Sequence, residues 1–127
     1  MINLCDIEKK QNIKFPEEYK QLYQSDFKEF TGKMELRVND DIFSIQKFLS
    51  ASEIKDILEE FFVFWGYDIV PIAEIDFEDY ICLYYRNDII NPSVIFWSYE
   101  LVLENSSEEK TVLYGNIHDF LTNIIKL

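Results

Sequence analysis

The densest run of chemically capable side chains in this sequence is Glu74-Ile75-Asp76-Phe77-Glu78-Asp79. Side chains alternate along a strand, so extended backbone here would put Glu74, Asp76 and Glu78 on one face. Carboxylates grouped in this way can hold a divalent cation, divide acid and base roles in a hydrolase, or present negative charge to a basic partner. Cation binding needs oxygens that converge, usually around a turn residue, and this stretch has no glycine. A carboxylate-based hydrolase would need a cleft in which one carboxyl is raised in pKa. A solvated turn between two strands and a patch facing a partner ask least of the residues, and they are the preferred readings.

Other chemistry is sparse. His118 is the only histidine. No nucleophile or acid stands in motif spacing to it, so it reads as a surface residue in the first turn of a helix. Glycines at 32, 66 and 115 are too scattered to cradle phosphate. CxxC, HExxH and EF-hand patterns are absent, so no metal or cofactor is expected. Cys5 and Cys82 form neither a disulfide framework nor a zinc pattern. They read as buried free thiols in a reducing, cytoplasmic setting. Aromatic residues exceed the obvious needs of a small core: Trp65, Tyr67, Tyr84, Tyr85, Trp97 and Tyr99. Tryptophan and tyrosine are enriched at protein interfaces, so one or two of these should be exposed. Trp97, Tyr99 and Glu100 form a second candidate contact group beside Glu74, Asp76, Glu78 and Asp79.

Charge bears on the partner. Twenty-four acidic side chains face twelve basic ones, a formal net charge of −12. Such a chain repels phosphate backbones and anionic lipid, which argues against nucleic-acid and membrane partners. A basic protein partner fits, because opposite potentials steer association. The N-terminus lacks the basic start and apolar stretch of a signal peptide. Apolar runs such as Phe61-Phe62-Val63-Phe64-Trp65 are far too short to span a bilayer.

The elements that must position these residues follow from spacing. Leu4, Ile7 and Gln11 keep one side of a short first helix, stopped at Asn12. Pro16 opens a second helix, Glu17 and Glu18 suit its positive end, and Tyr19, Leu22 and Tyr23 make its buried face. Met34, Leu36 and Val38 alternate as a strand, and Ile42 to Ile45 can pair with it across Asn39-Asp40-Asp41. Ser50 and Glu53 stand at capping-box spacing before a helix carrying Ile54, Ile57, Leu58, Phe61 and Phe62, with Gly66 at its end. Asp68 to Ala73 is a short strand with an edge-type proline, Pro71. Tyr80 to Tyr85 is apolar on both parities and belongs in a sheet centre. Ser93 to Leu103 and Thr111 to Tyr114 are further strands. Asn116 caps a final helix, with Ile117, Phe120, Leu121, Ile124 and Ile125 as its apolar stripe. One domain over residues 1–127 suits the length. The segregation of elements predicts an α+β fold: a mainly antiparallel sheet of about five or six strands, flanked by N-terminal helices, a middle helix and a C-terminal helix.

Three stretches taken in order resemble a known family. Phe15-Pro16-Glu17-Glu18-Tyr19-Lys20 is similar to the "LPxDYK" helix opening of the SUKH superfamily, the Smi/Knr-like fold shared by fungal cell-wall regulators and bacterial immunity proteins. Ile69-Val70-Pro71-Ile72-Ala73 with Asp79-Tyr80-Ile81-Cys82-Leu83 resembles its "ipiA…GdyicLd" strand pair. Gly115-Asn116-Ile117-His118-Asp119-Phe120-Leu121 resembles its closing "aSFxeFL" helix. Phe77-Glu78 stand where the family often has glycine, and Ser25-Asp26-Phe27 replace a common "NG", which alters turns more than fold. The resemblance implies no catalytic activity and a protein partner. For an immunity protein that partner is a bacterial toxin domain, often a basic nuclease. The expectation is therefore an immunity protein, a monomer or weak dimer, that binds a basic toxin domain. An intracellular scaffold or regulator of the same fold is the alternative. A carboxylate hydrolase built on Glu74 to Asp79 stands third.

Overall fold

The structure, a computed structural model, describes residues 2–25, 34–38, 41–76, 79–86, 88–98 and 110–126. Helix α1 (Leu4–Gln11) begins where the Asn3 side chain accepts the Asp6 N–H at 3.0 Å, while Asp6 accepts the Asn3 N–H at 3.0 Å. This reciprocal box satisfies donors that the first turn leaves open. Asn12 ends the helix at φ 56° and ψ 50°, left-handed backbone that asparagine tolerates. Leu4, Ile7 and Gln11 are buried, the register their spacing predicts. Helix α2 (Glu17–Ser25) follows Pro16, whose carbonyl accepts the Lys20 N–H at 3.1 Å. Glu8 ties the two helices, accepting the Phe15 N–H at 2.8 Å and standing 3.1 Å from Lys20 Nζ.

Helix α3 (Ala51–Trp65) carries the expected box: the Ser50 hydroxyl accepts the Glu53 N–H at 3.2 Å, and Glu53 accepts the Ser50 N–H at 3.0 Å. Gly66 ends it at φ 55° and donates its N–H to the Phe62 carbonyl at 2.8 Å. Ala51, Ile54, Leu58, Phe61 and Trp65 face inward. Phe62, placed on that stripe by spacing, is instead 46% exposed. Phe61 and Trp65 are already one i, i+4 pair, and a helix cannot turn adjacent residues to one side.

The strands are β1 (Met34–Val38), β2 (Asp41–Ile45), β3 (Lys47–Phe48), β4 (Ile69–Asp76), β5 (Asp79–Tyr84), β6 (Ser93–Ser98), β7 (Lys110–Tyr114) and β8 (Ile124–Lys126). They form a five-stranded sheet in the order β3-β4-β5-β6-β7 and a three-stranded sheet in the order β2-β1-β8. Every pairing given is antiparallel, with Tyr80 opposite Trp97 and Met34 opposite Ile45. The α+β class holds, with helices flanking the larger sheet. Strand β5 is central, as its apolar parity predicts, and Tyr80, Ile81, Cys82 and Leu83 are all buried. Pro71 lies on an interior strand rather than a sheet edge. It is accommodated where pairing with β5 shifts register between Pro71 and Ala73, past the two residues of β3.

The chain's end departs further from its pattern. The last helix, α4 (Ile117–Thr122), stops at Asn123, and Ile124–Lys126 form β8 against Met34, Glu35 and Leu36. The Asn116 cap is as expected, its side chain accepting the Asp119 N–H at 2.8 Å. Helix α4 packs against β6, β7 and α2, and α1 packs against α3.

The core under α3 is aromatic. Trp97 lies 5.0 Å from Trp65 and 5.1 Å from Phe61 between ring centroids, and Tyr80 lies 6.0 Å from each of Phe61 and Trp65. Edge-to-face contacts of this kind add to the area they bury. Cys82 is buried, as expected; Cys5 is exposed, because it sits in the first turn of α1 between inward-facing Leu4 and Ile7.

Candidate functional site

The acidic run lies at the β4–β5 hairpin. Glu74 pairs with Tyr80 and Asp76 with Asp79, and the register shifts between Glu74 and Asp76. Two steps along β4 thus meet one along β5, a bulge at the buried Ile75. The strict alternation that would place Glu74, Asp76 and Glu78 on one face is broken there. Instead the hairpin brings Asp76 and Asp79 opposite one another on neighbouring strands. Glu78 lies outside the described residues, as do Tyr99 and Glu100, which directly follow Ser98, the register partner of Asp79.

Glu74 is half-buried and stands opposite Lys47 of β3. Its carbonyl accepts the Gln46 N–H at 2.8 Å. Lys47 also contacts Glu53, so one ammonium lies between two carboxylates. Its pKa is raised, first by the Glu53 contact, against burial, and then by the charges of Glu53 and Glu74. Burial alone would raise the Glu53 carboxyl, but Lys47 and the Ser50 amide and hydroxyl hold it below its ordinary value.

Trp97 leaves the candidate contact group. It is 1% exposed and fills the cluster with Phe61, Trp65 and Tyr80, so it has no area to offer a partner. Of the other aromatics, Trp65 and Tyr85 are buried, Tyr84 is intermediate and Tyr67 is 55% exposed. Tyr85 donates its hydroxyl to the Lys14 carbonyl at 2.9 Å, and its pKa is raised chiefly by burial.

His118 is exposed in the first turn of α4, and Nδ1 stands 3.0 and 2.9 Å from the two carboxylate oxygens of Glu18 on α2. Its pKa is raised, first by that hydrogen bond and then by the carboxylate's charge. The pair borders a wide polar cleft of about 880 Å³ that also takes in Lys14, Glu17, Asp88 and Asn116. Among the described residues no group of three or more His, Cys, Asp or Glu is placed to hold a metal ion, and no helix is long and apolar enough to cross a membrane.

Spacing did not single out the outward end of α3. Val63 is 83% exposed, Phe62 46% and Tyr67 55%, and the Phe62 and Tyr67 rings meet edge to face at 5.2 Å. The signal was present in the sequence. Five consecutive apolar residues on a helix pass more than once around its axis, so some must face water.

The molecule is of the α+β class, with helices flanking an antiparallel sheet. A model of the SMI1/KNR4 family (SUKH-1) matches residues 3–123, and the chain belongs to that family. The stretches at 15–20, 69–83 and 115–121 all fall within the matched span. Among curated proteins none matches the chain. The family is generally one of non-catalytic, immunity-type proteins, and membership implies at that coarse level the binding of a protein partner.

Proposed function

We propose that this chain is an immunity protein that binds a basic toxin domain and blocks it by occlusion. The observation that carries the reading is the β4–β5 register, which pairs Asp76 with Asp79 in a family member of net charge −12. Acidic residues at paired positions of adjacent strands concentrate negative charge in one stretch of the fold, which suits a basic partner domain. Glu74, Asp76, Glu78 and Asp79 are the acidic contributors to this reading, and Tyr99 and Glu100 are further candidates. Rim charges of this kind set association rate and salt dependence.

The test is calorimetry of the purified protein with the product of the adjacent upstream gene at two salt concentrations. One-to-one binding that weakens with salt, and weakens again in Asp76→Ala/Glu78→Ala/Asp79→Ala, is the expected result. Absence of binding, or binding indifferent to both changes, overturns the reading.

A further inference from the structure

Helix α3 ends in a face that the described residues leave uncovered. Phe62, Val63 and Tyr67 together expose apolar surface that water disfavours, and grouped exposure of this kind marks an interaction site more often than scattered exposure does. The face is also ordered in advance. Gly66 takes φ 55°, and a Cβ there would meet nothing within 4 Å, so it is the backbone conformation that calls for glycine. That turn brings Tyr67 back against Phe62, where the two rings lock edge to face. Tyr67 borders a cavity of about 300 Å³ whose walls are both apolar, from Ile13, Tyr85 and the 57% exposed Ile89, and polar, from Lys10, Gln11, Asn12 and Asp68. An aromatic pair at the edge of a small cavity is a form in which an anchor side chain can be held.

Charge decides the occupant. Asp56, Glu59 and Glu60 are exposed on α3 and precede the apolar end by one to two turns. The cations in reach are engaged: Lys10 and Lys55 stand 3.6 and 2.9 Å from Glu59, and Arg86 stands 3.9 Å from Asp68. Asp56 and Glu60 have no ion pair among the described residues. The helix's C-terminal carbonyls add negative potential. A second copy of this chain is a poor occupant, since a two-fold contact would oppose these carboxylates and bring together two molecules of charge −12.

We propose that Phe62, Val63 and Tyr67, with the cavity that Tyr67 borders, form the anchor site of the partner interface, and that it takes an apolar side chain presented from a basic protein surface. This rests on the partner-binding reading above and adds a contact distinct from the hairpin carboxylates.

The probe is a short amphipathic helical peptide of leucine and lysine, titrated into isotopically labelled protein and followed by NMR. Its controls are a serine–lysine peptide of equal charge and a leucine–glutamate peptide. The leucine–lysine peptide should shift the resonances of Phe62, Val63 and Tyr67, and neither control should. Val63→Asp decides between charge and anchoring, because it adds negative charge while removing the apolar contact. Anchoring predicts about tenfold weaker binding, the loss typical of a central interface side chain. At 83% exposure the substitution should leave the thermal midpoint unchanged. Unchanged or tighter binding by Val63→Asp overturns the proposal, as do shifts confined to the hairpin. Concentration-dependent dimerisation abolished by Val63→Asp also overturns it, assigning the face to a second copy. The upstream gene product can fail to bind while the peptide maps to α3, so the two readings fail separately.

Discussion

A histidine on a helix surface becomes informative only through what stands opposite. His118 and Glu18 are 100 positions apart, yet their side chains meet and link α4 to α2. The pair raises the His118 pKa in the folded state, so its contribution is complete below the ordinary value of 6.5 and is lost as pH rises through the folded value. Titrated by NMR, His118 should show a pKa above 6.5 that falls toward the ordinary value in Glu18→Gln, with the neighbouring Asp119 charge still in place; a wild-type value at or below 6.5 would dissolve the pair. The sequence places this histidine correctly on a surface helical turn, but no local pattern can report a carboxylate from the other end of the chain. Cys5 and Trp97 show the same limit. Residue type predicts burial for one and exposure for the other. The turn of α1 and the ring cluster with Phe61 and Trp65 reverse both.

Elements with strong periodicity or caps were legible. Ser50 and Asn116 both start helices, and Asn12 and Gly66 both end them; the cap at Asn3 was not singled out. The loss came where two periodicities overlap. Ile117, Phe120, Leu121, Ile124 and Ile125 suit one helical stripe, and three residues are too few to show a period of two. Pairing with β1, almost ninety positions away, makes Ile124–Lys126 a strand instead. Deletion of residues 124–127 should therefore remove amide-exchange protection from those amides of Met34 to Leu36 that point toward β8, while the ones directed at β2, and those of β5 and β6, keep theirs. Equal protection in both chains would show that β8 contributes nothing to its sheet. The hairpin was located by composition, but the bulge at Ile75 was not, because register depends on which residues of β5 lie opposite.

For the whole molecule, charge is the dominant number. A net −12 on a domain of 127 residues opposes compaction, whereas its exposed ion pairs, such as Lys10 with Glu59, stabilise it little. Added sodium chloride screens both and should relieve the larger effect, so the thermal midpoint at neutral pH should rise with salt. A falling midpoint in calorimetry would show that local pairs outweigh the global repulsion. Family and α+β class were readable from the order of motifs, and the same totals pointed to a basic partner. The apolar end of α3 was not singled out, because spacing alone does not say which side of a helix its sheet will cover. That geometry has an optical consequence. Trp65 and Trp97 are 3% and 1% exposed, their rings nearly perpendicular at 80° and 5.0 Å apart, and Phe62 and Val63 lie within one turn of Trp65. Two shielded, closely coupled indoles emit toward the blue and give strong near-ultraviolet dichroism. The protein thus carries an intrinsic label beside its exposed helix end, and the arrival of a tryptophan-free ligand there can be timed in a stopped-flow fluorimeter without any dye.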